Sequence, residues 1–259
     1  MSANTPVSQR VVDRVAALYD IHGNLPALDA VLAEIDTERP DVLLVGGDVL
    51  WGAMQAETIE RLRSIADGAL FIRGNCEREV IGRHVSGDEQ QDAWTLWCAD
   101  ELSAAEAAFV ASWPEATYLE IAGLGTALFC HGSPRSDEEI ITSATSEPRL
   151  AAMLAGVTAP VVVCGHTHVQ FDRRAAGHRV VNPGSVGMAY EGEPGVACWA
   201  LLGPDVELRR TRFDVAGAAA AVRAKAMPHA EPFIRMALLE PAAAEEATLV
   251  FEEMAEQQA

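Results

Sequence analysis

An α/β fold of two stacked mixed β-sheets with helices on the outside is what this 259-residue sequence predicts, and three observations carry the prediction. The first third alternates strand-like and helix-like segments, the pattern of βαβ units. The second half is a series of short strand-like runs separated by Gly- and Pro-containing turns. Composition is globular, at 49% hydrophobic and 22% charged residues. A chain of this length buries roughly 70–75% of its unfolded surface, so it needs neither disulfides nor a structural metal to stay folded.

The elements follow in order. Residues 14–19 (RVAALY) form an apolar run that stops at Asp20, and residues 41–46 (DVLLVG) and 69–72 are two further buried strands. Between the first two, Leu28, Val31, Leu32 and Ile35 recur at i, i+3, i+4 and i+7, one face of a helix. Asn24 is placed to cap it, and Pro26 suits its first turn, where a missing N–H costs little. Ile59, Leu62 and Ile65 mark a second helix, so these strands should pair in parallel through right-handed crossovers. Residues 77–116, with Trp94, Trp97 and Trp113, read as a helical excursion over one sheet edge. Residues 118–121 and 127–130 flank a Gly-containing turn, as in a hairpin. Runs at 161–164, 171–174, 179–182, 196–202 and 206–213 are expected to be antiparallel strands, and 216–225, 232–239 and 243–256 terminal helices. Neither a linker nor a repeat interrupts the chain. One domain is expected over 1–259, with a core at 14–213 and a C-terminal helical extension at 214–259.

Charge narrows the function. Nineteen Lys and Arg against 38 Asp and Glu give −19, a surface that repels nucleic-acid phosphates. General nucleic-acid binding is therefore not expected, and an anionic substrate would need a local positive centre. Five scattered cysteines without a CxxC pair suit a reducing compartment. Residues 1–13 hold no apolar segment of an export signal, and no apolar run approaches the ~20 residues of a membrane helix. The expectation is a cytoplasmic protein without a membrane segment.

Nearly every core strand ends in a metal-ligating residue type. Asp20-Ile-His22 follows the first strand, Gly47-Asp48 the second and Gly74-Asn75 the third; His131-Gly132 and Gly165-His166-Thr167-His168 follow later ones. If the chain stays extended from Asp20 to His22, both side chains face the same way. The neighbouring glycines allow sharp turns and close approach, and carboxyl ends of strands are where open α/β sheets carry their sites. Each motif alone has a plain structural reading: a turn, a hydrogen-bonded core histidine, a surface carboxylate. Only the His166/His168 pair is suggestive by itself, since two imidazoles at i, i+2 can chelate. The ordered set is far harder to assign to coincidence.

Asp20-x-His22, Gly47-Asp48, Gly74-Asn75-Cys76-Glu77, His131-Gly132 and Gly165-His166-x-His168 together resemble the calcineurin-like metallophosphoesterase superfamily, over about residues 14–187. The resemblance implies a four-layer αββα sandwich. It also implies one metal held by Asp20, His22, Asp48 and His168, and a second by Asp48, Asn75, His131 and His166, with Asp48 bridging. Mixed imidazole and carboxylate ligands suit divalent transition metals, manganese foremost, with iron, zinc, cobalt or nickel as alternatives. The activity implied is hydrolysis of a small phosphate ester by in-line attack of a metal-bridging hydroxide, with Asn75 and His131 stabilising the charge that develops.

One position departs from many members, which read Gly-Asn-His where this chain has Cys76. A thiol is a poor general acid, and the GNCE sequence is similar to the small bacterial and archaeal phosphodiesterase branch, so phosphodiesters or good leaving groups are expected as substrates. Phosphomonoesters or phosphoproteins are the alternative substrates. A different class is a non-catalytic scaffold, like the retromer subunit that resembles this family. Cys76 is also read as plain packing, and Cys130 and Cys164 as core. Arg135, with Arg73 and Arg78, is a candidate for substrate phosphate. Trp51 and His84 are candidates for the pocket wall, and Asn182-Pro183-Gly184-Ser185 for the site floor. Small relatives often pair, which admits a homodimer.

Overall fold

The computed structural model of the chain describes residues 11–86 and 93–257. Residues 1–10, which carry most of the segment read for an export signal, and 87–92 of the helical excursion lie outside the described residues. In chain order the strands and helices are β1 Val11–Val12, β2 Val15–Leu18, α1 Leu25–Glu38, β3 Val42–Gly46, α2 Gln55–Arg63, β4 Ala69–Ile72, α3 Asn75–Ser86, α4 Ala93–Asp100 and α5 Ala104–Ala111. There follow β5 Ala116–Ile121, β6 Gly125–Cys130, α6 Glu147–Met153, β7 Val161–Val163, β8 Phe171–Ala175, β9 His178–Asn182, β10 Val196–Leu202 and β11 Val206–Arg212. Helix α7 (Val215–Ala224), α8 (Ala230–Phe233) with a π-helical continuation Ile234–Leu239, and α9 (Ala244–Gln257) close the chain.

Two mixed sheets result. One has five strands in the order β11-β10-β2-β3-β4, the other six in the order β1-β5-β6-β7-β9-β8. Between them lies a core of alternate residues from both: Val15, Ala17 and Tyr19 with Leu44, facing Leu119, Phe129, Val163 and Val181. The other face of the five-stranded sheet (Ala16, Leu18, Val45, Ala197, Trp199) packs on Leu28, Val31 and Ile35 of α1 and on Ile59 and Leu62 of α2. The outer face of the six-stranded sheet meets Leu150 and Met153 of α6. Helix, sheet, sheet, helix is the expected four-layer order, because each sheet has two apolar faces to cover.

Local signals behave as their chemistry dictates. The Asn24 side chain accepts the Ala27 N–H at 3.2 Å, and Pro26 sits in the first turn of α1. Strands β2, β3 and β4 pair in parallel. The antiparallel expectation for the later strands fails at β7, which runs parallel to both β6 and β9. The crossover before it, with α6 inside, is long enough to reverse direction, and α6 lacked a distinct apolar stripe in the sequence. Only β8–β9 and β10–β11 in this half are antiparallel hairpins. The segment expected as one helix at 232–239 is a short α-turn followed by a π-helix, and β1, two residues long, gave no periodic signal.

Candidate metal centre

Five strands deliver their next residues to one end of the sandwich: Asp20 after β2, Asp48 after β3, Asn75 after β4, His131 after β6, and His166 and His168 after β7. Three ligand atoms from Asp20, His22 and His168 lie within 4.8 Å of one another, as do three from Asp48, His131 and His166. The clusters adjoin, with His131 Nε2 3.3 Å from Asp48 Oδ2 and 3.8 Å from Asp20 Oδ1. Asn75 begins α3 beside them, and its Oδ1 is buried without a hydrogen-bond partner.

The convergence of Asp20 and His22 has a different origin from the extended alternation expected of them. Both have positive φ, 54° and 46°, and so do Asp48 (51°), His166 (68°) and His168 (57°). Left-handed backbone at a non-glycine residue costs of order 1–3 kcal/mol and persists only where its surroundings over-determine it. Here they do. Asp20 N–H donates to Gly47 O at 3.0 Å and His22 N–H to Asp48 O at 2.9 Å, so two ligand loops are zipped together. Ser185 Oγ donates to Asp20 O at 2.6 Å, and Asn182 Nδ2 to Gly165 O and Thr167 Oγ1, both at 3.0 Å. The 182–185 loop is thus the floor that ties the first and last ligand loops.

Glu77 is the part of the site that sequence reasoning missed. Its carboxylate accepts the N–H groups of Asp48 (2.7 Å), Val49 (2.8 Å), Leu50 (3.0 Å) and Gly74 (2.7 Å), clamping the Asp48 loop onto the start of α3. The available signal was an acid in the first turn of a helix directly after Gly-Asn. Burial and the Asp48 carboxylate push the Glu77 carboxyl up to about 7, against the pull of those amides.

Three of the four imidazoles are fixed by the far nitrogen. Nδ1 of His22 meets Leu50 O at 3.2 Å, Nδ1 of His131 meets Gly46 O at 3.0 Å, and Nδ1 of His168 meets Met188 O at 3.0 Å. A carbonyl can only accept, so Nδ1 carries the proton and the Nε2 lone pair faces the centre, the arrangement typical of metal-bound histidine. Nε2 of His22 and Nε2 of His168 are then 3.1 Å apart with lone pairs converging, and Asp20 Oδ1 lies 3.4 Å from the latter. Asp20 Oδ1 and His131 Nε2 are buried with no hydrogen-bond partner. Converging, unpartnered donor atoms of this kind are what a cation takes up, so the residues fit divalent metal ions.

The electrostatics agree. Burial alone would raise the Asp48 carboxyl, but His131 and the other imidazoles hold it far below the usual range; burial likewise works against the Asp20 carboxylate, and His168 lowers it. Burial opposes protonation of His131, yet Asp48 and Asp20 push it up to about 10, so with no ion present a proton sits on Nε2 and a bound cation would take that proton's place. Burial first, then a neighbouring imidazole, lowers His22 and His166 to about 4, leaving them neutral donors. His166 and Asn75 are the only members of the set that are half-buried, which marks the open side.

The other candidates are distributed around this centre. Cys76 is buried, its N–H donates to Asp48 Oδ1 at 2.9 Å, and its Sγ lies within 4.8 Å of ligand atoms of His22 and Asp48. Burial and then Asp48 push its thiol well above the ordinary value. Arg135 and Arg78 line a cavity of about 270 Å³ that reaches His131. Arg135 donates through Nε and Nη2 to Glu139 and through Nη1 to Ala152 O, which leaves two of its five N–H groups. Arg78 is paired with Asp137 and Glu138, and Arg73 with Glu115. Trp51 stacks on Trp94 at 4.9 Å, and His84 bonds the Ala99 carbonyl of α4, so neither is a wall of that cavity. All five cysteines are buried thiols, Cys130 and Cys164 in the core beneath α6. Among the described residues no helix is long and apolar enough to cross a membrane.

Known proteins share this architecture. The calcineurin-like phosphoesterase superfamily domain matches residues 14–202. Phosphodiesterase YfcE of Escherichia coli K12 is 37% identical over 70 residues, covering 24% of this chain and 38% of the relative, so the chain spans well under half of that protein. A crystal structure of a metallophosphoesterase from Sphaerobacter thermophilus superposes with a TM-score of 0.69 at 28% identity, over 85% of this chain and 97% of that one. Hypothetical protein PH1004 from Pyrococcus horikoshii has the same fold, with a TM-score of 0.73 at 18% identity over 90% of this chain and all of that one. Since the family match runs unbroken from β2 through β10 and takes in every strand end that bears a ligand, this chain belongs to the calcineurin-like phosphoesterase superfamily.

Proposed function

We propose that the protein is a dinuclear-metal phosphodiesterase acting on small phosphate esters with good leaving groups. The observation that carries it is the pair of adjoining triads, Asp20/His22/His168 and Asp48/His131/His166, with Nδ1 of His22, His131 and His168 each anchored on a carbonyl. Asp20, His22, Asp48 and His168 would hold one ion and Asp48, Asn75, His131 and His166 the other, with manganese the favoured metal. When bound, two such ions clamp phosphoryl oxygens and lower the pKa of a coordinated water towards neutrality.

The chain's own residues do the rest. Asp48 belongs to one triad and lies within 4.8 Å of His22 of the other, and Glu77 holds its loop through three amides and ties it to a fourth at Gly74. His131 and Asn75 present polar atoms to the charge that builds on phosphorus-bound oxygens. Arg135, on the cavity that begins at His131, has two N–H groups for a substrate oxygen beyond the scissile bond. Cys76 stands beside the Asp48 carboxylate as a thiol that keeps its proton. A leaving group therefore departs without strong acid help, which favours aryl or nucleotide-type diesters over alkyl monoesters.

The catalytic core at 14–213 and the helices at 214–259 are read as one domain, and the five buried thiols support a cytoplasmic setting. The test is steady-state kinetics of the Mn²⁺-loaded protein on a chromogenic aryl phosphodiester and an alkyl phosphomonoester. Higher kcat/KM on the diester is expected; strong preference for the monoester overturns the substrate assignment, and no turnover of either overturns the enzyme.

A further inference from the structure

Helix α9 lies beyond the residues that match the family, yet its Phe251 packs on Tyr190, which in turn stacks on His168. We propose that α9 braces His168 through Tyr190, making Tyr190 a positioning residue for the ion held by Asp20, His22 and His168. The inference rests on the reading of His168 as a metal ligand.

His168 needs bracing because its backbone is left-handed, at φ 57°, and its Nε2 must stay between His22 Nε2 and Asp20 Oδ1. The bond from Nδ1 to Met188 O sets the tautomer and one point of the ring, but leaves the ring free to tilt about that bond. Tyr190 removes that freedom. Its ring lies nearly parallel to the imidazole, 20° between planes and 5.2 Å between centroids, and its own N–H reaches His168 O at 3.4 Å. An imidazole that gives its lone pair to a cation becomes electron-poor, and an aromatic face beneath it is then favourable.

Tyr190 is in turn held by the C-terminal segment. Phe251 of α9 packs on it at 6.2 Å between centroids. Two residues on, Gly192 N–H donates to Ala242 O at 2.9 Å, just before α9 begins. Next to Phe251, Glu252 accepts from Thr142 Oγ1 (2.5 Å), Thr145 Oγ1 (2.8 Å) and Arg149 Nη1 (3.0 Å). The loop carrying Thr142 also accepts the hydroxyl of Thr167, which stands between His166 and His168, at Ile141 O. One helix is therefore linked to the ligand loop from two directions, through Phe251 and Tyr190 and through the half-buried Glu252 carboxylate and the 141–145 segment.

The experiment is Co²⁺ titration of the metal-stripped full-length protein, read by the visible d–d absorption and by bound stoichiometry. Wild type should take up two ions. Tyr190→Ala should weaken one of them by about ten- to a hundredfold, the usual effect of losing a partner behind a metal ligand, and alter its absorption bands. Phe251→Ala should weaken the same ion severalfold and carries the test if Tyr190→Ala does not fold. Tyr190→Phe, which keeps the ring, should match wild type, as should Leu249→Ala on the exposed face of α9. Two ions bound by Tyr190→Ala or Phe251→Ala as tightly as by wild type would overturn the brace while leaving the metal centre intact. Failure of Tyr190→Phe to match wild type would overturn the ring as its means. No uptake by wild type would overturn the metal-centre reading itself and the brace with it.

Discussion

Gly74→Ala isolates the precision of the Asp48 position. Gly74 has no positive φ, so alanine is allowed by the backbone and the effect is purely steric. A Cβ there would lie 2.2 Å from Asp48 Oδ1, where ordinary contact begins at 3.4 Å, so the oxygen must retreat by about 1.2 Å. The surroundings do not yield easily: Asp48 N is 2.8 Å from the new atom and donates to Glu77, and His131 Cε1 is at 2.9 Å. Moving Oδ1 also disturbs its bond from the Cys76 N–H. Overpacking of this kind costs about 1–3 kcal/mol of stability, and misplacing a catalytic group by about 1 Å costs on the order of a hundredfold in rate. Urea unfolding, metal content and kcat/KM on an aryl phosphodiester measure all three. The control is Gly82→Ala, in α3 with open space around its Cβ, which should be neutral or stabilising by up to about 1 kcal/mol. Wild-type metal content and kcat/KM within twofold for Gly74→Ala would refute the claim that Asp48 is held to sub-ångström tolerance.

Other changes give distinct signatures. Asp48→Asn removes the carboxylate charge proposed to bridge the two ions and should abolish stoichiometric metal binding, with kcat/KM down by at least a thousandfold; metal analysis after dialysis checks it. Arg135→Ala should raise KM about tenfold with kcat within threefold, as loss of uniform substrate binding does. Glu139 is partly buried, which raises its carboxyl, but Arg135 and Ser133 bring it below the usual value. Its contribution is therefore complete above the ordinary pKa of 4.5 and fades as pH falls through the lowered folded value. Glu139→Gln should cost about 1 kcal/mol or less at pH 7, and urea midpoints of wild type and variant should converge in acid.

The sheet order of the first half was legible because Leu28, Val31, Leu32 and Ile35 state a helix and three apolar runs state strands around it. The convergence of the candidate Asp and His residues was legible because such residue types are scarce at strand ends. What escaped depends on relations that no local pattern encodes. The parallel pairing of β7 is set by a crossover whose helix α6 has only seven residues. The left-handed backbone at Asp20 and His22 is fixed by bonds to a loop more than 20 residues away. Glu77 and Tyr190 act on neighbours, not on substrate, and one is tied to a helix about 60 residues downstream. Arg135 was legible as a cation near the site, but its commitment to Glu139 was not.

The most direct measurement is anomalous diffraction from crystals grown with Mn²⁺. The account predicts two manganese peaks about 3.5–4 Å apart, one against Asp20, His22 and His168, the other against His131, His166 and Asn75, with the Asp48 carboxylate touching both. A solitary peak, or peaks at other residues while this cluster binds none, would contradict it.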